Sequence, residues 1–197
     1  HPHWYYAYDG NTTRAARVER VLEWLAMPDS SRPQFVAVYF SDVDTDGHNF
    51  GPDSREVNDA IARVDSAVGA IVAGIARRPD GANVNVIVVA DHGMSETSAS
   101  RTIALDDYVS MDSMDVGDWN PVATLIPKPG REAYVYRALH NAHPHLQVYR
   151  KGELPAHLHY NTGARVTPIV AIADDGWTVG TRSELAKMPR DHVTGTH

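Results

Sequence analysis

The 197-residue chain has no cysteine, no long apolar run and no surplus of positive charge. Without cysteine it can form neither a disulfide nor a thiolate metal site. No apolar run approaches the roughly 20 residues of a transmembrane helix, so we expect no membrane segment. The net charge of −7 argues against binding to nucleic-acid duplexes, because their phosphates are neutralised by clustered Lys and Arg. What remains is a chain long enough for one globular domain with a sizeable core.

Two further absences concern the ends of the chain and the nucleophile. The sequence opens on His1-Pro2-His3-Trp4 without a starting Met or a secretory leader, and it closes on Thr194-Gly195-Thr196-His197. We therefore expect a piece of a longer protein. The sequence shows no Gly-rich phosphate loop, and no Ser or Thr stands in a nucleophile-elbow context.

Two helices are predicted in the first half of the chain. Apolar residues recur at intervals of three and four over 13–26 and over 54–76. Thr12 or Thr13 precedes the first of these segments and Ser54 opens the second, and both residue types are good N-caps.

Short, nearly continuous apolar runs at 34–40 and 85–90 are typical of buried parallel strands. With the helix between them they predict a βαβ unit, so the ends of both strands should meet at one edge of a sheet. The second half adds strands over 122–127, 146–149 and 166–172, a helix over 131–143, and a tail that is mostly loop from Gly180 on. Nothing resembles a linker, so residues 1–197 are predicted to form one α/β domain, with three layers (α/β/α) and a mostly parallel sheet.

A carboxylate and an imidazole lie close together just after each of the two apolar runs. After the first run come Asp44 and His48, with Gly47 allowing a tight loop that turns both side chains to one point. This mixed ligand set suits zinc. The alternative is an acidic surface loop in which Asp42, Asp44 and Asp46 are solvated or bind calcium weakly. That triplet is similar to the start of an EF-hand loop, but the later Glu is missing.

After the second run come Asp91 and His92, followed by Gly93. The alternative is a structural strand end in which Asp91 caps the next segment. Together the two motifs predict a two-metal site, and such sites mostly serve phosphoryl transfer. Of the other histidines, His197 and His192 near the end are equal candidate ligands on chemistry alone. We expect the remaining histidines of the second half to lie on the surface or to take part in packing, namely His140, His143, His145, His157 and His159.

Aromatic residues are concentrated at the start of the chain, at Trp4, Tyr5, Tyr6 and Tyr8. A stacking wall for a flat ring is one interpretation of this cluster. From composition alone, a place in the core is the better expectation.

The stretch from Tyr39 to Pro52 resembles a metal motif of the nucleotide pyrophosphatase/phosphodiesterase family, within the alkaline phosphatase superfamily. Val86 to Met94 resembles the second metal motif of that family. Pro168-Ile169-Val170, followed by Asp174-Asp175-Gly176-Trp177, is similar to a further family segment, and Gly195-Thr196-His197 resembles the start of the last ligand motif. The resemblance implies an alkaline-phosphatase-like catalytic domain that is incomplete at its N-terminus.

The resemblance also implies roles for individual residues. Asp44, His48 and His197 would bind one zinc ion, and Asp91 and His92 would bind the other, giving two Zn²⁺ per complete site. Tyr8 matches the position of an aromatic residue that stacks on the base of the substrate. The family's Thr or Ser nucleophile and a further metal-binding Asp lie upstream of this chain.

The implied function is zinc-dependent hydrolysis of nucleotide phosphodiester or pyrophosphate bonds, by in-line displacement between two metals through a covalent nucleotidyl intermediate. One alternative is a phosphonate or phosphate-monoester hydrolase of the same superfamily. Another is an inactive metal-binding fragment, or a subunit completed by a second polypeptide that supplies the N-terminal part. The lack of cysteine favours a bacterial protein, in the periplasm or secreted.

Overall fold

The computed structural model of the protein describes residues 2–190 and 193–197. The helices are α1 (Arg14–Leu25), α2 (Asp42–Phe50), α3 (Arg55–Ala76), α4 (Glu132–Leu139) and α5 (Arg182–Leu185). The strands are β1 (Ser95–Thr97), β2 (Thr102–Ala104), β3 (Met114–Asp118), β4 (Val122–Pro127), β5 (Leu146–Arg150), β6 (Ile169–Ala173), β7 (Thr178–Gly180) and β8 (Thr194–Thr196). The chain divides into two compact units, the first of His1–Gly47 and Asp53–Asp91 and the second of His48–Pro52 and His92–His197.

The first unit is built on the packing of α1 against α3. The Oγ atom of Thr13 accepts a hydrogen bond from the backbone N–H of Ala16, and that of Ser54 accepts one from Val57. Both helices and both caps that the sequence predicted are therefore confirmed. Apolar side chains from the two helices form a buried cluster, namely Val18, Val21, Leu25, Ala67, Ile71 and Ile75.

The two predicted strands of this unit differ from expectation. Residues 34–40 and 85–90 form no strand in the described chain, and the exposed fraction reaches 85% for Phe35 and 82% for Ile87. Some members of these segments pack against the helical pair, Val36 and Phe40 among them. The prediction of a buried βαβ unit is wrong here, because an apolar run becomes a strand only where a neighbour satisfies its backbone hydrogen bonds. None of the described strands pairs with either run.

The second unit contains a four-stranded antiparallel sheet in the order β3-β4-β6-β5. Its central strand β6 is a continuous apolar run because both of its faces are covered. Ile169 and Ala171 belong to the main core cluster, which also holds Val135 and Leu139 from α4. Val170 belongs to a second cluster, with Leu154 and Val166, on the opposite side of the strand.

Two shorter strand pairs complete this unit. β2 pairs with β7 in parallel, and β1 pairs with β8 antiparallel, with Ser95 opposite Thr196. Of the described strand pairs only β2–β7 is parallel, whereas the sequence predicted a mostly parallel sheet. The difference arises because 34–40 and 85–90, the runs expected to supply parallel strands, form no ladder.

The individual elements of the second half follow the sequence more closely. Predicted strands at 122–127 and 146–149 are confirmed as β4 and β5. The strand expected from residue 166 begins after Pro168, which has no N–H to donate. The helix expected over 131–143 ends at Leu139, two residues before Asn141, whose φ is +60°. The tail predicted as loop carries α5 and β8.

No helix among the described residues combines the length and the apolar character that crossing a bilayer requires.

Candidate metal and nucleotide site

The first metal motif lies on a helix. Gly47, predicted to open a tight loop, is buried inside α2. The loop prediction is wrong because the start of this stretch suits a helix: Asp42 and Asp44 lie in the first turn, where their negative charges interact favourably with the helix dipole. His48 lies in the last turn of the same helix. Four residues make about one turn, so Asp44 and His48 share a face of α2.

The orientation of the His48 ring is set from the far end of the chain. Its Nδ1 lies 2.9 Å from the carbonyl oxygen of Gly195 in β8. A carbonyl oxygen only accepts, so Nδ1 donates to it, and in the neutral ring the lone pair then sits on Nε2. This is the tautomer in which Nε2 binds a metal while the other ring nitrogen is held by a backbone carbonyl.

Three imidazoles meet in the second unit. The rings of His48 and His197 have centroids 5.0 Å apart, and their ligand atoms lie within 4.8 Å of each other. The rings of His92 and His197 stack at 3.4 Å with an interplanar angle of 13°. The pairing of β1 with β8 accounts for this, because His197 follows β8 and His92 lies three residues before β1.

The carboxylates of Asp44 and Asp91 both affect the pKa of Tyr39 in the first unit. Burial raises the pKa of Tyr39, and the negative charges of Asp44, Asp91 and Tyr8 raise it further. Both carboxylates are therefore close enough to Tyr39 to influence its ionisation. Tyr39 was not among the predicted site residues, although it is an aromatic residue five places before Asp44, at the end of an apolar run.

The aromatic cluster at the start of the chain does not lie in the core. The exposed fraction runs from 46% for Trp4 to 65% for Tyr8, so the expectation of a core position is wrong. These rings are partnered at the surface instead. Tyr6 stacks on Trp24 at 5.7 Å, and Tyr8 lies 6.2 Å from the ring of Tyr39 at an angle of 55°.

Tyr8 is held by polar contacts as well as by Tyr39. Its hydroxyl donates to the Oγ of Ser41 at 3.2 Å, and the guanidinium of Arg17 lies 5.6 Å from the centre of its ring. Tyr8 and Tyr39 thus present two tilted aromatic faces, and burial and the charges of Asp44 and Asp91 raise the pKa of Tyr39.

Two of the remaining histidines, His143 and His145, lie together around Trp177. The rings of His143 and His145 both contact Trp177, the second by stacking at 4.1 Å, and His145 Nδ1 lies 3.0 Å from a carboxylate oxygen of Asp174. These are packing contacts of the kind that the sequence suggested for this half. His192, an alternative candidate ligand, lies outside the described residues.

The donor chemistry fits a divalent ion of the zinc type. Asp44 offers a carboxylate and His48 an imidazole of defined tautomer, and His197 adds a second imidazole beside His48. At His92, Nδ1 lies 3.0 Å from the carbonyl oxygen of Gly93 and donates to it, so in the neutral ring Nε2 is again the metal-binding nitrogen. Mixed carboxylate and imidazole ligand sets are typical of zinc, whereas calcium prefers ligand sets made of oxygen atoms only.

The chain matches the family described as Type I phosphodiesterase / nucleotide pyrophosphatase over residues 1–197. Human ectonucleotide pyrophosphatase/phosphodiesterase family member 5 is 34% identical over 197 residues, which are 100% of this chain and 40% of the relative. The Xenopus laevis bis(5'-adenosyl)-triphosphatase enpp4 is 35% identical over 186 residues, which are 94% of this chain and 40% of the relative.

Solved structures of members of this family also match the chain. Murine ectonucleotide pyrophosphatase/phosphodiesterase 5 matches with a TM-score of 0.87 at 37% identity, over 100% of this chain and 51% of the relative. An inactive form of that murine protein, in complex with AMP, matches with the same TM-score and identity over 50% of its length. The chain therefore spans about half the length of these relatives or less.

The structural likeness confirms the α/β, alkaline-phosphatase-like fold that the sequence predicted. The family match covers all 197 residues, including both acidic–imidazole motifs and the C-terminal His197. The chain belongs to the Type I phosphodiesterase / nucleotide pyrophosphatase family, within the alkaline phosphatase superfamily.

Proposed function

We propose that this chain is part of the catalytic domain of a zinc-dependent hydrolase that cleaves phosphodiester or pyrophosphate bonds in nucleotides. The observation that carries the proposal is the hydrogen bond from His48 Nδ1 to the Gly195 carbonyl. It prepares an imidazole on the helix of the first motif for metal binding and does so directly beside His197. The family match supports the same class of reaction.

Five side chains are proposed to hold the metals. Asp44, His48 and His197 would bind one zinc ion, and Asp91 and His92 would contribute to a second. Bound there, zinc would supply Lewis acidity to the phosphoryl oxygens and lower the pKa of a coordinated hydroxyl or water. Since Asp91 and His92 are fewer than the four ligands of a tetrahedral ion, the second site needs donors from outside this chain or from water.

Tyr8 and Tyr39 are proposed to hold the base of the substrate. An exposed aromatic face stacks on any base, and two tilted faces limit the orientations that the base can take. The AMP complex of the murine relative and the bis(5'-adenosyl)-triphosphatase activity named for the frog relative support a nucleotide as substrate.

The nucleophile is proposed to lie in sequence that this chain does not span. Attack by its hydroxyl oxygen on phosphorus would form one P–O bond, break the P–O bond to the leaving alcohol or phosphate, and give a covalent nucleotidyl intermediate. In the relatives, the region that matches this chain is part of a single polypeptide more than twice as long. The comparisons therefore give no support for a second polypeptide. We retain residues 1–197 as part of a single catalytic domain, and we retain a periplasmic or secreted location as a prediction. The relatives named above are eukaryotic and say nothing about a bacterial source.

The test uses the natural polypeptide that contains this sequence. We expect hydrolysis of the p-nitrophenyl ester of thymidine 5'-monophosphate, loss of that activity after dialysis against a chelator, and recovery with zinc. Turnover that survives thorough metal removal would contradict the zinc mechanism. Faster hydrolysis of phenyl phosphonate or p-nitrophenyl phosphate than of the nucleotide ester would favour the phosphonate or monoester alternative.

A further inference from the structure

The helix α2 carries three aspartates at alternate positions, and the structure separates them into two groups. Asp42 and Asp46 are four residues apart and share one face of the helix. Asp44 lies two residues from each, about 200° around the helix axis, and shares its face with His48. The sequence alone left open whether the whole triplet binds a cation.

Two arginines hold the face formed by Asp42 and Asp46. Arg14 of α1 donates from Nη1 to a carboxylate oxygen of Asp42. Arg63 of α3 donates from Nη2 to Asp46 at 2.8 Å, and its Nε lies 3.9 Å from Asp42. The aspartate side chains are 17% and 21% exposed, so these ion pairs are screened less than surface pairs.

The same face lies on a cavity that an ion could enter. The cavity has a volume of about 330 Å³, and its lining includes Asp42, Asp46, Arg14 and Arg63. The hydroxyl residues Ser41 and Thr45 also line it. Without the two guanidinium groups, the cavity would offer the two carboxylates together with several hydroxyls, those of Ser41 and Thr45 among them, which are oxygen donors of the kind that Ca²⁺ prefers.

We propose that Arg14 and Arg63 are positioning residues that withdraw Asp42 and Asp46 from cation binding, so that α2 presents only Asp44 and His48 as metal donors. The inference rests on the metal role of Asp44 and His48 in the proposed function. Its consequence is selectivity: α2 offers one carboxylate and one imidazole to a metal, a set that favours zinc over calcium.

The test is a gain of binding in the double variant Arg14→Gln/Arg63→Gln, made in the full natural polypeptide. We expect Tb³⁺, a luminescent probe for calcium sites, to bind about tenfold tighter or more than to the wild type, because two fixed positive charges next to the carboxylates are gone. Excess Ca²⁺ should displace the Tb³⁺. Further replacement of Asp42 and Asp46 by Asn should abolish the gain.

Two controls separate this role from simple support of the fold. Arg14→Lys/Arg63→Lys keeps the charge and should keep Tb³⁺ binding weak. Arg17→Gln removes a third arginine from the same cavity, one that contacts the Asp9 carbonyl and the Tyr8 ring, and it should leave Tb³⁺ binding near the wild-type level. Should the double variant fail to fold, as judged by circular dichroism, the single variant Arg63→Gln is measured in its place.

Absence of any gain in a folded variant overturns the inference, as does an equal gain in Arg17→Gln. The outcome is distinguishable from failure of the proposed function. A wild-type protein that binds no zinc would contradict the proposed function, whereas the Tb³⁺ gain concerns Asp42 and Asp46 and is read without zinc or activity.

Discussion

His48 and Gly195, 147 positions apart in the chain, are joined by a hydrogen bond of 2.9 Å between the imidazole Nδ1 and the backbone carbonyl oxygen. The bond fixes the tautomer of a candidate metal ligand and attaches β8 to it. A metal ion bound by both His48 and His197 would form a second link between His48 and the C-terminal segment that contains β8. Metal binding and the stability of the C-terminal segment should therefore be coupled.

We expect zinc to raise the melting temperature of the protein and EDTA to remove the increase. A ligand at 100 times its Kd that binds only the folded state adds about 2.7 kcal/mol of stability. His48→Ala and His197→Ala should lose most of this increment. The control is His157→Ala, at an exposed histidine elsewhere in the second unit, and it should keep the increment. Melting that is the same with zinc and with EDTA would contradict the coupling.

Replacing Tyr8 should affect nucleotide substrates selectively. We expect Tyr8→Ala to weaken AMP binding by about 1–3 kcal/mol, the usual value of one base–aromatic stack, while hydrolysis of bis-p-nitrophenyl phosphate changes much less. The matched control is Tyr160→Ala, at a half-exposed tyrosine of the second unit. Equal losses for the nucleotide and for the small diester would favour the phosphonate or monoester alternative.

The pKa of His143 gives a prediction for pH. Burial lowers it, the neighbouring His145 lowers it further, and Asp174 partly opposes both effects. The folded protein therefore binds a proton at His143 less readily than the unfolded chain does. The stability that this histidine contributes is present above the unfolded pKa of about 6.5 and is lost as the pH falls through the lower folded pKa.

Urea denaturation between neutral pH and pH 4 measures this effect. The unfolding midpoint of the wild type should fall as the pH falls over that range. The midpoint of His143→Gln should fall less steeply, whereas that of His157→Gln should follow the wild type. An NMR titration in which His143 takes up its proton at or above pH 6.5 would overturn the assignment.

The helices were predictable because their signals are local. The periodicity of α1 and α3 and the caps Thr13 and Ser54 lie within a few residues of the backbone that they specify. The strands at 34–40 and 85–90 were mispredicted because an apolar run does not reveal whether a neighbouring strand is available. In β6 a similar run is buried, because β4 and β5 flank it on both sides.

The candidate site was predictable in composition and not in geometry. The ligand types and the spacing of Asp44 and His48 pointed to metal chemistry, although the segment between them is a helix rather than a loop. The contact between His48 and Gly195 depends on strand pairing between residues nearly a hundred positions apart, and no local pattern encodes it. Tyr39 lies only five positions before Asp44, but Tyr8 and Asp91 are brought to it by the fold, and no local pattern encodes that.

The exposure of the mispredicted run is itself testable. Ile87, 82% exposed, should tolerate replacement by Ser with a change in unfolding free energy within about 0.5 kcal/mol. Ile71 of the same unit, 7% exposed in the α1–α3 contact, should lose about 3 kcal/mol or more on the same replacement. Similar losses at the two positions would show that Ile87 is buried.

The turn between β6 and β7 depends on Gly176. Its φ of +75° is unfavourable for other residues, and an added Cβ would lie 2.8 Å from the backbone carbonyl oxygen of Glu96 in β1. The Gly176 carbonyl also accepts a hydrogen bond from Arg101 Nε at 3.1 Å, so the turn cannot shift without losing this contact. Gly176→Ala should therefore destabilise the protein in two ways. The left-handed backbone conformation is unfavourable for Ala, and the added Cβ clashes with the Glu96 carbonyl oxygen.

Gly130 isolates the first of these costs, the left-handed conformation. Its φ is +76° and an added Cβ would meet nothing within 4 Å, so Gly130→Ala should lose only the conformational part, about 1–2 kcal/mol. We expect Gly176→Ala to lose about 1–3 kcal/mol more than that, measured as the free energy of unfolding in urea. Because Glu96 pairs with Gly195 across β1 and β8, the variant at 176 should also reduce the zinc-dependent increase in melting temperature. Equal losses at the two glycines would show that β1 moves away from an added Cβ, and the zinc increment should then be unchanged.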